Sequence, residues 1–238
     1  MTTNYRSEID GLRAIAVIPV ILFHAGISAF SGGYIGVDIF FVISGYLITS
    51  IILKDLEVGK FSLINFYERR ARRILPALAF VILSTLPLTW LLLTPDDMRG
   101  YSQSLVSVAT FSSNIFFWLK TSYFDTASEL KPLLHTWSLA VEEQFYIIFP
   151  LILMLLWARG LKLIKIVLII IFFTSFILAN VYVEKYPTSS FYLLHTRAWE
   201  LMIGGFCALY MSKRKIGELK HWHSWVSTAG FIFILVSI

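Results

Sequence analysis

Charged residues are scarce in this 238-residue sequence. Only 15% of the residues are Asp, Glu, Lys or Arg, whereas 57% are hydrophobic, and the mean hydropathy is +0.74. Soluble domains are nearer half apolar and a quarter charged. No polar stretch is long enough to form a separate soluble domain. The composition therefore excludes a soluble protein and places the chain in lipid.

Cysteine is nearly absent as well, and several kinds of site are absent with it. Cys207 is the single cysteine, so an internal disulfide is excluded, and it lies in an apolar run. The sequence has no Cys and His spacing typical of zinc and no glycine-rich phosphate loop. Ser44 lacks the glycine two residues upstream that a nucleophile elbow requires. We therefore predict that the protein has no metal cofactor and that Ser44 is not a nucleophile.

Positive charge is in excess, with 20 Lys and Arg against 15 Asp and Glu. Such an excess can indicate nucleic-acid binding, but the basic residues cluster between apolar runs instead of along one soluble face. Cytoplasmic loops of membrane proteins carry an excess of this kind, so we predict no nucleic-acid partner. A cleaved signal peptide is not expected, because Glu8 and Asp10 precede the first apolar run and further apolar runs follow at once.

Seven apolar segments are long enough to cross a bilayer, which takes about 20 residues. They cover residues 9–29, 34–53, 74–93, 139–158, 163–183, 198–211 and 222–238. They predict an all-α fold, a polytopic transmembrane helix bundle with about seven spans, forming one membrane domain over residues 1–238. The chain ends inside an apolar run without a closing charged loop, so we expect the bundle to be incomplete there.

Basic residues between the segments predict the orientation of the bundle. They follow the second, fourth and sixth segments: Lys54, Lys60, Arg69, Arg70, Arg72 and Arg73, then Arg159, Lys162 and Lys165, then Lys213, Arg214, Lys215 and Lys220. Of the alternate connections, residues 27–33 have no Lys or Arg, and residues 184–197 have only Lys185 and Arg197. By the positive-inside rule the amino terminus is cytoplasmic.

Residues 94–138 must then cross the membrane an even number of times, because the third span ends outside and the fourth begins outside. Within them, residues 101–119 are moderately apolar but rich in serine. We interpret them as one outside-facing amphipathic or re-entrant segment that is buried in protein, since irregular backbone exposed to lipid is not tolerated. An additional hairpin through the membrane is the alternative.

The first span contains two ionisable residues, Arg13 and His24. They are 11 positions apart, about three helical turns, and therefore project from nearly the same face, roughly 16 Å apart along the axis. Ionisable residues inside a span usually face the bundle interior or a water-filled cavity. A functional site and a structural histidine bonded to a neighbouring helix are both consistent with this spacing.

The string FYERRARRILP contains four arginines in five positions. In a helix, Arg69, Arg72 and Arg73 share one face by the i, i+3, i+4 rule. Because the guanidinium fork binds phosphate oxygens bidentately, we predict a specific phosphate ligand. A positive-inside anchor that contacts lipid headgroups is the alternative.

Further acids and a histidine are predicted to lie on the outer side. LLHTWSLAVEEQFY places His135, Glu142 and Glu143 at the outer entrance of the fourth span, and GGYIGVDIFFVISGYLI places Asp38 near the outer end of the second. Adjacent carboxylates near hydrocarbon resist joint ionisation and need partners. We predict that these side chains include a group that binds hydroxyls of a ligand. The alternative is that the acids are there only because the dipole at a helix N-terminus favours negative charge.

These strings, together with EIDGLRAIAVIPVILFH and HTRAWELMIGG, occur in an order that strongly resembles the acyltransferase-3 family of membrane acyltransferases. The nearest likeness is to bacterial O-antigen and other surface-polysaccharide O-acetyltransferases. The resemblance implies an acyl-CoA donor, typically acetyl-CoA, used on the cytoplasmic side of the inner membrane. The acceptor would be an extracytoplasmic carbohydrate hydroxyl of O-antigen, exopolysaccharide or peptidoglycan.

The resemblance also implies roles for individual residues. His24 would be the catalytic histidine and Arg13 its paired arginine, with Glu142 and Glu143 as further catalytic candidates. The coenzyme phosphates would bind among Arg69, Arg70, Arg72 and Arg73, and Asp38 and His135 would contact substrate. Family members of this kind usually have about ten spans, more than this chain contains.

Imidazole suits a general base, because its protonation changes near working pH. We therefore expect His24 to activate the acceptor hydroxyl, with a covalent acyl-histidine as the alternative. The competing function is a proton-coupled transporter or flippase of a surface-polysaccharide precursor, with Arg13, His24 and Asp38 as its pathway. Transporters often have repeated halves, and the sequence has none. No feature of the sequence predicts an oligomeric state.

Overall fold

The computed structural model describes residues 6–120, 131–212 and 221–238, and these residues contain α-helices and no strand. The described helices are α1 (Ser7–His24), α2 (Gly36–Glu57), α3 (Leu63–Leu92), α4 (Pro95–Ala109), α5 (Ser113–Lys120), α6 (Thr136–Trp157), α7 (Leu161–Lys185), α8 (Pro187–Tyr192), α9 (Leu194–Met211) and α10 (His221–Ser237). Two short 3₁₀ turns, Ser28–Phe30 and Gly33–Ile35, connect α1 to α2. The basic residues predicted at positions 213–220 lie outside the described residues.

Four of the described helical segments are long and apolar enough to cross a membrane: Gly33–Glu57, Leu63–Leu92, Thr136–Trp157 and Leu161–Lys185. They coincide with the second to fifth predicted segments, which confirms an all-helical membrane protein. The remaining three segments correspond to α1, α9 and α10, which are not among the four helical segments that are long and apolar enough. The count of seven spans therefore stays a prediction.

The chain divides into two compact units, of which the first comprises Met1–Lys54 and Trp199–Ile238. Here α1 lies directly against the turn that precedes α2. A side chain at Gly33 would collide with the carbonyl of Pro19, and one at Gly36 with the carbonyl of Ala16. Glycine is needed at both positions because the two backbones are in contact.

A second close approach in the first unit joins α2 to α9. A Cβ atom at Gly45 would collide with the carbonyl of Leu201, and one at Gly204 with the backbone of Val42 and Tyr46. Small residues permit such backbone contact between membrane helices. Gly45 of α2 and Gly204 of α9 therefore let the two helices touch, and neither position has room for a side chain.

The second unit, Asp55–Ala198, contains α3 to α8. Its buried cluster joins α3, α4 and the segment before α6 through Leu78, Tyr101, Val108 and Leu133. The hydroxyl groups of Tyr101 and Thr85 are hydrogen-bonded at 2.9 Å, which ties α4 to α3. Through this cluster the serine-rich segment packs against α3 and the residues before α6.

The serine-rich segment forms the two short helices α4 and α5, of 15 and 8 residues. Neither reaches the about 20 residues of a full span, so the described part of the segment does not form the alternative transmembrane hairpin. Instead, the amides of Asn114 and Gln144 bind each other reciprocally, with the Gln144 Nε2 donating to Asn114 Oδ1 at 2.7 Å. Asn114 also donates to the carbonyl of Tyr192 at 3.1 Å, and is fully buried. Asn114 thus ties α5 to α6 and to the end of α8, and the outside-facing, re-entrant position of the segment stays a prediction.

Candidate functional site

Arg13 lies in the second turn of α1 and is half-buried. Its Nη1 is 3.6 Å from a carboxylate oxygen of Asp10, and its guanidinium lies 5.7 Å from the centre of the Phe40 ring on α2. Its Nε is buried and has no hydrogen-bond partner among the described residues. A carboxylate one turn away and an aromatic ring therefore orient this cation.

His24 is the last residue of α1, and its side chain is exposed. Its Nδ1 is 2.8 Å from the carbonyl oxygen of Val20. Because a carbonyl only accepts hydrogen bonds, Nδ1 carries the proton in the neutral ring and Nε2 is the basic nitrogen. Phe23 packs edge-to-face against the imidazole at 5.0 Å. These two contacts with residues of its own helix orient the ring.

Asp38 lies in the first turn of α2 and is half-buried. It is two residues before Phe40, the ring that contacts Arg13. All three predicted site residues of the first unit therefore belong to the α1–α2 pair.

Three of the four predicted phosphate-binding arginines are exposed on α3. Arg69 pairs with Asp55 at 3.3 Å and Arg72 with Glu68 at 2.6 Å. Exposed ion pairs contribute little to stability, so an incoming phosphate can displace these carboxylates. The Arg69, Arg72 and Arg73 side chains together form the exposed arginine face of α3.

Arg70 behaves differently from its three neighbours, because it is half-buried between α3 and α6. Its guanidinium lies 4.7 Å from the centre of the Tyr146 ring. Glu142 and Glu143 interact electrostatically with it, and they are only 6% and 8% exposed. Oε1 of Glu143 has no hydrogen-bond partner among the described residues. A buried carboxylate pair and a cation thus share the α3–α6 contact.

The position of the two glutamates differs from the prediction that placed them at the entrance of a span. Because α6 begins at Thr136, Glu142 and Glu143 lie beyond its first turn and are buried. The helix dipole acts mainly within the first turn, so it does not account for the acids. The approach of Arg70 was not predicted, because the face rule applies within one helix and this contact depends on how α3 packs against α6. The packing register is marked by a hydrogen bond from the Tyr67 hydroxyl to the Ile147 carbonyl, 3.0 Å long.

His135 directly precedes α6 and is exposed. Two residues later, the Trp137 ring lies 5.8 Å from the guanidinium of Arg197, a distance at which a cation attracts an aromatic face. Arg197 was predicted only as one of two basic residues in an outer loop. Among residues 6–120, 131–212 and 221–238, no cluster of three His, Cys, Asp or Glu residues is arranged to hold a metal ion.

Comparison with known proteins identifies the family of the chain. A family model described as an acyltransferase domain, Acyl_transf_3, matches residues 6–238. The chain is 39% identical over 212 residues to the peptidoglycan O-acetyltransferase OatA of Listeria monocytogenes, covering 87% of this chain and 34% of that protein. It is 37% identical over 238 residues to the putative peptidoglycan O-acetyltransferase YrhL of Bacillus subtilis, covering 92% and 36%.

A third relative is an uncharacterized protein of Haemophilus influenzae, 40% identical over 180 residues, covering 73% of this chain and 74% of that protein. The chain thus spans about a third of the length of the Listeria and Bacillus relatives. No solved structure matches it. Because the family model covers nearly every residue, the chain belongs to the Acyl_transf_3 family of acyltransferases.

Proposed function

We propose that this protein is a membrane O-acetyltransferase that moves an acetyl group from cytoplasmic acetyl-CoA to a hydroxyl of an extracytoplasmic carbohydrate. The family match over residues 6–238 carries this proposal, because it includes every predicted site residue. The relatives named peptidoglycan O-acetyltransferase suggest the acceptor class. We place the protein in the bacterial inner membrane with a cytoplasmic amino terminus, with α1, α9 and α10 as the three further spans.

The donor binds through its phosphates. Coenzyme A is too polar to cross the bilayer, so it must be held at the cytoplasmic side. The exposed arginine face of α3 offers forked donors that match phosphate oxygens. The exposed pairs of Arg69 with Asp55 and of Arg72 with Glu68 open when the phosphates arrive.

The chemical step uses the basic nitrogen of His24. Nε2 takes the proton from the acceptor hydroxyl, whose oxygen attacks the thioester carbonyl carbon. The carbon–sulfur bond breaks, and the departing thiolate takes the proton back from the imidazolium. The hydrogen bond between Nδ1 and the Val20 carbonyl keeps the ring oriented through both proton transfers. In the second unit, the buried Glu142 and Glu143 are the proposed hydroxyl-binding carboxylates.

Labelled acetyl-CoA tests this function directly. Membranes that contain the protein are incubated with radiolabelled acetyl-CoA and, separately, with peptidoglycan, lipopolysaccharide or exopolysaccharide. We expect label in one carbohydrate, released by mild alkali as an O-ester is, together with loss of thioester. Transport of a polysaccharide precursor without thioester consumption would instead establish the transporter function and overturn the proposal.

The exposed arginine face predicts a specific defect in donor binding. The double variant Arg72→Gln, Arg73→Gln should raise the KM for acetyl-CoA by roughly 10-fold, because charge-assisted hydrogen bonds to the phosphates are lost. The KM for the carbohydrate should not change. Steady-state kinetics with each substrate varied in turn measures both constants.

Two controls accompany this variant. Acetyl-pantetheine, which has no phosphate, should react equally well with the wild-type protein and the double variant. Lys162→Gln removes an exposed positive charge at the start of α7 and should leave the donor KM unchanged. An equal loss with acetyl-pantetheine would show that the arginines act on something other than phosphate.

A further inference from the structure

The second unit contains a cavity of about 420 Å³ between α4, α5 and the residues just before α6. Small-molecule sites typically measure about 300–1,000 Å³, so the cavity is large enough for a ligand. None of the residues predicted from the sequence as site residues lines it. The cavity therefore needs a separate explanation.

One wall of the cavity is set by how α4 begins. The Thr94 side chain caps the helix by accepting a hydrogen bond from the backbone N–H of Asp97. The helix then presents Asp96, Arg99 and Gln103 to the cavity at the i, i+3, i+7 spacing of one face. These three side chains are all exposed, so they are accessible to a ligand.

The opposite wall and the floor are chemically different. Phe116 and Lys120 of α5 line the opposite wall, and the buried side chains of Tyr101 and Leu133 lie beneath. The hydrogen bond between the Tyr101 and Thr85 hydroxyl groups holds the Tyr101 ring in place. The cavity thus combines an apolar, aromatic surface with carboxylate, guanidinium, amide and ammonium groups around its edge.

This combination suits a sugar better than a coenzyme. Acceptors and donors around the edge can bind ring hydroxyls, and an aromatic face packs against the C–H face of a sugar ring. Arg99 and Lys120 add positive charge for a carboxylate. The carboxylates of Asp96 and Asp97 only accept hydrogen bonds, and sugar hydroxyls supply the donors that the phosphates of coenzyme A lack.

We propose that this cavity binds the acceptor glycan through a sugar unit that carries a carboxylate group, as the repeating unit of peptidoglycan does. The proposal rests on the proposed acetyl transfer and on the outer location of residues 94–138. It adds a binding site on α4 and α5 to the residues of α1, α3 and α6 already discussed.

Gly100 provides a test that removes no functional group. It lines the cavity within α4, and a Cβ atom there would meet nothing within 4 Å. Gly100→Leu therefore fills the cavity without a backbone collision, and leucine favours the helix more than glycine does. Ser102→Leu is the matched control, because Ser102 is exposed on the same helix and does not line the cavity.

The first measurement is binding, which does not depend on catalysis. Disaccharide-peptides released from peptidoglycan by muramidase are titrated into the purified full-length protein in nanodiscs by calorimetry. We expect the wild-type protein and Ser102→Leu to bind them, and Gly100→Leu to bind at least 10-fold more weakly while keeping the wild-type Tm. Absence of binding by the wild type, or equal binding by Gly100→Leu, overturns the site.

The second measurement separates this site from the proposed function. Arg99→Gln should raise the KM for the disaccharide-peptide severalfold and leave the KM for acetyl-CoA unchanged. A change in the acetyl-CoA constant instead would assign the cavity to the donor and overturn the inference. If the wild type binds the sugar but transfers no acetyl group, the proposed transfer fails while saccharide binding by the cavity stands.

Discussion

Replacing His24 with alanine is expected to reduce acetyl transfer by about 10²–10⁴-fold, the contribution typical of a general base. The variant should still insert into the membrane and keep its Tm. The reason is that His24 is the exposed last residue of α1, and its Nδ1 hydrogen bond is to the Val20 carbonyl of its own helix. Transfer of label from acetyl-CoA and thermal unfolding in detergent measure the two properties on the same sample.

His195→Ala is the matched control for this substitution. His195 is an exposed histidine at the start of α9, its ring lies 5.8 Å from that of Tyr182, and no catalytic role is proposed for it. It should retain wild-type transfer. If His24→Ala also retains transfer, the imidazole is removed from the mechanism, and another base must act on the hydroxyl.

Gly45→Leu is expected to disrupt the folded first unit. The new side chain would collide with the Leu201 carbonyl, where α2 and α9 touch. Overpacking costs about 1–3 kcal/mol even where side chains can adjust, and a backbone atom adjusts less. For a protein of this size, we expect the Tm to fall by roughly 10 °C. Fluorescence-detected size-exclusion chromatography after heating gives the Tm in crude detergent extracts.

Gly230→Leu provides the comparison, because a Cβ atom at this position in α10 would meet nothing within 4 Å. It makes the same chemical change in another helix and should leave the Tm close to that of the wild type. A wild-type Tm for Gly45→Leu would show that α2 and α9 are not in backbone contact.

Helix positions were predictable because hydropathy is a local property. All seven apolar segments overlap with described helices, although α1 ends at His24 and the first segment was predicted to continue to residue 29. The end of α1 has a local cause. There, the chain reads His24, Ala25, Gly26, and Gly26 adopts φ +76°. Glycine just past a helix end is favoured because it takes this left-handed conformation without strain. The start of α3 was less accessible, because its first turns are polar and carry little hydropathy signal.

Contacts between helices were not predictable in the same way. The arginine string left Arg70 off the face shared by Arg69, Arg72 and Arg73 but indicated no partner for it, whereas packing of α3 on α6 places it beside Tyr146. The cavity is a similar case, because Asp96 and Lys120 look like ordinary surface charges in the sequence. Only the packing of α4 and α5 brings them around one space. The residue types indicated which chemical groups are present, but only the tertiary structure shows which of them lie close together.

The paired amides of Asn114 and Gln144 constrain how this family can diverge. Each amide binds the other, and each also donates to a backbone carbonyl, Asn114 to that of Tyr192 and Gln144 to that of Phe111. A buried polar group left alone costs about 1–3 kcal/mol. A change at either position, or a joint change to two apolar residues, therefore leaves polar groups inside the protein without these partners and is selected against. Related sequences should accordingly keep side-chain donors at both positions, although they are 30 residues apart in the chain.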